Sequence, residues 1–389
     1  MHILVVNSGS SSIKFTMFES NGGEPKPLVD GELAGVGAGD GELTISGREP
    51  KKVDARTPEE AIQAVVRALD EANVRPADAV GYRVVHPGAV LTGHQRITEE
   101  VLRELDAAAE FAPLHDPAAV QMIRAMMKLK PEVPRYACFD TVFHETMPVE
   151  ATTYALPKKY RDAGVRRYGF HGLSCESIVR RVRKVTGGFP KRTVIAHLGS
   201  GCSVTALLGG TSVDTSMGLT PDGGVVMGTR PGDLDPGVVL YLLRKEEGGV
   251  DGVERMLNRE AGMLALSGMK NDVKALREAA ENGEENAVLA LTVFTRSVRK
   301  AIGGYAWLLG GLDAVIFAGG VGEHDAKTRS EVLRGLEGLE VALDDAANNG
   351  RGKGMRRVDA GTKIQVWVVP AEEDLMIAEH VMRMVREGQ

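Results

Sequence analysis

The sequence predicts an α/β protein made of two copies of one layered domain, facing each other across a cleft. Three observations carry this. At 389 residues with 43% apolar and 26% charged positions, the chain is long enough for two hydrophobic cores and too long for one small domain. Its periodicity runs strands, helix, strand, helices, strand, and then starts again. And ILVVNSGSSSIKFTMF is echoed about 190 residues later by VIAHLGSGCSVTALL: four apolar-rich residues, a polar Gly/Ser turn and a second strand, with Asn7 and His197 at matching places. Two unrelated hairpins alike by coincidence are the alternative to duplication.

The elements follow in order. ILVV, IKFTMF and GELTIS read as successive strands of an antiparallel meander, with NGGEP and VGAGDGE as the turns between them. TPEEAIQAVVRALDEANV reads as a helix capped by Thr57, with Pro58 at its first position. AVGYRVVHPG is a short buried strand running into a loop. Residues 98–130 hold two helical patterns broken by FAPLHDP, and RYACFD is a strand that delivers Asp140 at its carboxyl end. PVEATTYALPKKYRDAGVRRYG reads as a linker. After the second hairpin, helices dominate residues 234–310. LDAVIFAGGVGEH is a buried strand ending in a glycine turn, KIQVWVV a late strand, and DLMIAEHVMRMVRE a closing amphipathic helix.

Charge and composition exclude several classes. A net charge of -6 with scattered basic residues argues against nucleic acid or an anionic membrane as partner. With no apolar stretch of about 18 residues and no signal-like amino terminus, a soluble cytoplasmic protein is expected. Cys138, Cys175 and Cys202 are too few and too far apart for a disulfide framework or a CxxC zinc site, and are expected as reduced thiols in packed regions. Glycine is the outlier: 47 residues, many in short loops after strand-like runs where backbone N–H groups can approach a ligand.

No GxxxxGK[ST] loop, GxGxxG turn, HRD or DFG occurs, so any phosphate chemistry uses another scaffold. The NSGSSSIK hairpin can hold phosphate through Ser10, Ser12 and Lys14, although an ordinary hairpin has the same composition. Further polar stretches have no place in a core. VGYRVVHPG sets Arg83 among apolar residues, FDTVFHETMP carries Asp140, YGFHGLS carries His171, and DTSMGLTPDGGVVMGTRPGDLDP brings Arg230 in a long loop-like run. Each has a bland reading, such as a half-buried ion pair or a satisfied core histidine. Loops longer than about 12–15 residues, however, are usually functional or disordered.

In order and spacing, NSGSSSIKF, VGYRVVHPG, FDTVFHETMP, YGFHGLS, HLGSGCSV, the DTSMG to GDLDP run, FAGGVGEH and PAEEDLMIA resemble the acetate kinase family of the acetate and sugar kinase, heat-shock and actin superfamily. The resemblance covers nearly the whole chain. It implies two ribonuclease H-like (actin-like ATPase) domains with the active-site cleft between them. The first would be residues 1–146 completed by 371–389, with the acyl substrate and a phosphate hairpin; the second, residues 147–370, would bind nucleotide and dimerise. It also implies a homodimer that transfers phosphate reversibly and in line between ATP and acetate, with magnesium, or manganese in its place.

By matching motif, Arg83 and Arg230 would hold the acetate carboxylate and the phosphoryl group in flight. His171 would donate to that group, and Asp140 would be the essential acid. Ser10, Ser12, Lys14, His197 and Gly199 would contact phosphate, and Asn7 and Glu373 the metal. Val85, Leu114, Phe170 and Pro221 would enclose the methyl group. Gly199, Ser200, Gly201, Asp272, Val273, Lys274, Gly320, Val321 and Gly322 would bind the nucleotide. These types suit the chemistry: acetate is already ionised at neutral pH and needs no base, whereas bringing an anion onto a polyanion needs cations and aimed donors.

The sequence departs from the family pattern at Tyr82 (usually His), Pro87 (usually Gly) and Asp116 (usually Asn) on the acyl side. On the nucleotide side it departs at Ser200 in HLGSG, His324 in GVGEH, and Lys274 in KNDVK, where the family's Arg stacks on adenine. The alternatives are therefore a propionate kinase, a donor other than ATP such as another nucleotide or pyrophosphate, and, more distantly, an actin-like protein that binds nucleotide without transferring phosphate.

Overall fold

A computed structural model of the chain describes residues 1–9, 12–108, 116–350, 352 and 354–389. The chain divides into two compact units, Met1–Val142 with Glu372–Gln389, and Phe143–Ala371.

In the first unit, β1 (His2–Ser8) lies at the centre of an eight-stranded sheet. It pairs antiparallel with β2 (Ser12–Glu19) and parallel with β6 (Ala79–Val84), which pairs parallel with β8 (Arg135–Phe139). Beyond β2 lie β3 (Lys26–Ala34), β4 (Gly41–Ile45) and β5 (Lys51–Val53), and β7 (Gln95–Arg96) closes the other edge. Alternation sorts the side chains. Leu4 and Val6 of β1, Val80, Tyr82 and Val84 of β6, and Ala137 and Phe139 of β8 join the core under the helices Pro58–Glu71 and Asp116–Leu129. The opposite face receives the helix Glu373–Arg386, which packs so closely on β6 that a Cβ on Gly81 would sit 2.6 Å from Ile377 and 2.7 Å from Val381. By the same parity Asn7, Arg83 and Asp140 fall on that second face.

In the second unit, β9 (Arg192–Leu198) pairs antiparallel with β10 (Cys202–Leu208) and parallel with β12 (Ala314–Ala318). Beyond them lie β11 (Thr211–Thr215) on one side, and β14 (Gln365–Val368) with β13 (Arg356–Arg357) on the other. The order β11-β10-β9-β12-β14 repeats β3-β2-β1-β6-β8, strand for strand and sense for sense. Asn7 faces Lys14 one pair before its turn, and His197 faces Ser203 one pair before its own. The sequence echo is thus a repeat of topology, and coincidence of two hairpins is set aside. Ile195, Leu207 and Ile316 pack under the helix Gly172–Thr186 through Cys175, Ile178, Val179 and Val182.

Three local readings change. β3 occupies residues between the two turns to which the sequence reading assigns no strand, because Pro27, Asp30 and Gly31 mask its pattern. Gly31 is required there, since a Cβ would lie 2.5 Å from both Phe15 Cζ and Thr44 O. The stretch read as a linker belongs to the second unit and holds two short helices, Val149–Thr152 and Lys158–Asp162. The glycine turn after β12 winds into the short helix Gly319–His324. The helix over 57–74 forms as expected, with a complete capping box between Thr57 and Glu60. The three cysteines are buried as thiols.

Candidate active site

Parity gathers one group of polar residues on the face of the first sheet that carries the closing helix. Arg83 donates through Nε to Asp140 Oδ1 at 3.1 Å and through Nη2 to Asp140 Oδ2, a bidentate pair. Its Nη1 reaches Asn7 Oδ1 at 3.4 Å, and Glu373 Oε2 lies 3.7 Å from its Nε. Burial works against the guanidinium charge, but the Asp140 and Glu373 carboxylates outweigh it and hold Arg83 well above the ordinary arginine range. Asp374 accepts from Thr16 Oγ1 at 2.8 Å, and burial raises its carboxyl despite that bond and the nearby Arg83.

Three carboxylates and an amide oxygen therefore surround one cation. Hard oxygen donors with an excess of negative charge are the set a magnesium-type ion takes, and Asn7 and Glu373 fit that role. Ser12 and Lys14 flank the turn, where Gly9 N–H donates to Ser12 O at 2.7 Å. Ser10 and Leu114 lie outside the described residues. Val85 is half-buried just past the end of β6.

The second group lies in the other unit. His171 caps the helix Gly172–Thr186 in a left-handed conformation, φ 58° and ψ 28°, unusual for a non-glycine residue. Its Nδ1 pairs with Ser203 Oγ at 3.0 Å, and its ring stacks on His197 with centroids 4.3 Å apart. His197 Nδ1 in turn meets Ser174 Oγ at 2.7 Å. Arg230 donates through Nη1 to Pro221 O at 2.7 Å, with the nearest carboxylate oxygen of Asp222 at 4.0 Å. Burial lowers its pKa, only partly offset by Asp222.

The two donors converge. A methyl group placed on Gly201 would lie 3.2 Å from Arg230 Nη2 and 3.4 Å from His171 Nε2. A glycine at the hairpin turn keeps that point open, and two nitrogens of the kinds that bind phosphoryl oxygens face it. Phe170 and Pro221, expected against a methyl group, are both buried.

Beside this point a cavity of about 1250 Å³ opens, lined by Gly199, Ser200, Asp272, Val273, Lys274, Gly320 and Val321 among others. Gly201 and Gly322 do not line it. Asp272 caps the helix Val273–Glu281 through Lys274 N–H, which fixes the KNDVK turn at the wall. Sequence reasoning missed Arg277, Arg329, Asn348 and Arg356 on the same wall. Arg277 is neutralised by Asp325 and Glu331. Arg329 is 1% exposed and donates to Asn348 and to the carbonyls of Gly322 and Glu323, fixing the turn after β12. The signal available for it was an arginine at helical spacing after GVGEH, too common to single out.

Comparison with known proteins agrees over the full length. The model of the acetokinase family matches residues 2–379. The chain is similar to the acetate kinases of Bacillus velezensis, 38% identical over 99% of both chains, and of Geobacillus kaustophilus, 40% identical over 98% of both. Among solved structures it is similar to Porphyromonas gingivalis acetate kinase, with a TM-score of 0.88 at 34% identity covering 99% of both chains. It is also similar to a propionate kinase from Francisella tularensis, with a TM-score of 0.91 at 32% identity over 97% of this chain and 98% of that one. On a match that spans nearly every residue, the chain belongs to the acetokinase family.

Proposed function

We propose that this protein is an acetate kinase that moves a phosphoryl group reversibly and in line between ATP and acetate, giving ADP and acetyl phosphate. The observation that carries this is the convergence of His171 Nε2 and Arg230 Nη2 over Gly201. A transferring phosphoryl group spreads negative charge over its equatorial oxygens, and aimed donors in a water-poor site stabilise that charge. His171 acts as donor rather than base, because an acetate ion has no proton to give up. Arg83 and Asp140 orient the acyl substrate, and Ser12, Lys14, His197 and Gly199 contact phosphate. Magnesium, or manganese in its place, would be held by Asn7 and Glu373, where it neutralises phosphate oxygens when bound.

Three finer points belong to this reading. ATP as donor is supported by the size of the cavity beside Gly199, ample for a nucleoside and far more than pyrophosphate needs. His324 is the one ring among the described residues that line it, with no Phe, Tyr or Trp, and Lys274 offers no flat guanidinium, so discrimination between ATP and GTP should be modest. A homodimer is supported by the helix Pro236–Lys245, PGVVLYLLRK, which buries none of its side chains within the chain: Val238, Leu240 and Tyr241 are 42%, 52% and 58% exposed. A cytoplasmic site of action is consistent with the absence, among the described residues, of a helix able to cross a membrane.

The test is hydroxamate trapping of the acyl phosphate, with acetate, propionate and butyrate offered against ATP, GTP and pyrophosphate at equal magnesium. Acetate with ATP is expected to lead, with GTP close behind. A lead for propionate would move the assignment to the propionate kinases, a lead for pyrophosphate would overturn the donor, and no acyl phosphate from any pair would overturn the proposal.

A further inference from the structure

FDTVFHETMP carries a histidine for which the transfer reaction has no evident use. His144 is 1% exposed, yet both of its ring nitrogens are engaged. Nε2 lies 3.0 Å from the carbonyl oxygen of Phe170, which can only accept, so Nε2 carries the proton. Nδ1 therefore accepts from Ser212 Oγ at 2.9 Å on β11. That strand is fixed a second time by Thr146 Oγ1, which donates to Ser212 O at 2.9 Å. Burial pushes the imidazole down to about 4, so the ring is neutral in this one tautomer at neutral pH.

What this ring grips is the turn that sets His171. Gly169 has φ +78°, and a Cβ there would lie 2.9 Å from His144 Cδ2 and 2.4 Å from Thr215 Cγ2, so the turn is pressed against the His144 ring. Phe170 follows, its carbonyl held by His144, and then His171 in its left-handed conformation. A non-glycine residue keeps such a conformation only where its surroundings over-determine it. The helix cap supplies no side-chain bond of its own. The Phe170 carbonyl is one point at which the fold fixes the peptide that enters His171.

Building on the acetate kinase reading, we propose that His144 is a positioning residue for phosphoryl transfer. Through Nε2–H it fixes the Phe170 carbonyl, and thereby holds His171 in the conformation that brings Nε2 to the point over Gly201 shared with Arg230. His144 touches neither substrate nor the reacting atoms. Its loss should leave ground-state binding in place and misaim one donor to the transition state. The effect then falls on kcat rather than on KM.

The test compares His144→Ala and His144→Gln with the wild-type enzyme, by acyl phosphate kinetics and by 15N NMR of the His171 ring. The amide nitrogen of Gln can donate where imidazole Nε2 donates. His144→Ala is expected to lower kcat about 10- to 100-fold, with KM for ATP and acetate within about twofold of wild type. His144→Gln should recover most of that loss, and the His171 ring signals should move in the Ala variant and return in the Gln variant. Should His144→Ala fail to fold, Ser212→Ala against Ser212→Thr makes the same comparison, the Thr variant keeping the hydroxyl that donates to His144 Nδ1. Equal loss in both members of a pair, an unchanged kcat, or unmoved His171 signals overturns the inference. If the wild-type enzyme makes no acyl phosphate, the functional reading fails, and the NMR comparison still decides whether His144 sets His171.

Discussion

Arg83 and Arg230 are two half-buried arginines in opposite electrostatic states. Asp140 grips Arg83 bidentately and Glu373 lies close by, so its charge is matched before any ligand arrives. Arg230 leans on a backbone carbonyl, with its nearest carboxylate oxygen at 4.0 Å, and burial works against its charge. An incoming anion therefore gains most from Arg230. Replacing it with Ala should cost about 100- to 1000-fold in kcat while the thermal midpoint barely moves; retention of wild-type turnover would remove Arg230 from the site.

His144 adds a pH signature at the same scale. Its folded pKa of about 4 lies below the ordinary histidine value, so the unfolded chain binds a proton that the folded one refuses. Its stabilising contribution is complete above about pH 6.5 and is lost progressively as the pH falls toward about 4, by on the order of 1 kcal/mol per pH unit at most. Denaturant unfolding at pH 7 and pH 5 should show this loss in the wild-type protein and a smaller one in His144→Gln; equal losses would contradict the neutral buried ring. The residue types of the site were legible in the motifs. Their state of pairing was not, because an Arg in RVV and an Arg in GTRPG look alike until the fold sets a carboxylate beside one and a carbonyl beside the other.

At the scale of elements, strand parity does the sorting. Asn7, Arg83 and Asp140 share a face because each is an odd step from the core-facing residues of its strand, and the helix Glu373–Arg386 brings Glu373 to that face. Gly81 lets the helix approach. Gly81→Ala should push Ile377 and Val381 away, destabilise the protein by about 1–3 kcal/mol and weaken turnover by shifting Glu373; a fully stable, fully active Ala variant would show that the close approach is not needed. Most elements were legible because their apolar period is clean, as in the capped helix Pro58–Glu71. β3 was not, since Pro27, Asp30 and Gly31 have little strand preference and only the clearance beside Phe15 and Thr44 makes Gly31 the fitting residue.

At the scale of the molecule, one topology occurs twice and has diverged at matching places. The first hairpin places Asn7 beside Arg83, and the second places His197 against His171, so one copy gathers carboxylates around a cation and the other gathers histidine and arginine donors around an open point. The repeat was legible in two quoted stretches because hairpin turns conserve spacing. The cavity wall formed by Arg277, Arg329 and Arg356 was not, since those residues lie far apart in the sequence on separate elements and meet only in the fold. The exposed helix Pro236–Lys245 also speaks at this scale: Leu240→Glu with Tyr241→Glu should convert a dimer to a monomer in sedimentation equilibrium, and a wild-type chain that already sediments as a monomer would refute the dimer. On the proposed function, the decisive role of the open point over Gly201 is to hold the transferring phosphoryl group. Its most direct measurement is acetyl phosphate formation from ATP and acetate by the wild-type protein and by folded Gly201→Ala, side by side. The wild-type protein is expected to turn over and the added methyl group to lower kcat at least about 100-fold; equal rates in the two, or no acetyl phosphate from the wild-type protein, would contradict this role for Gly201.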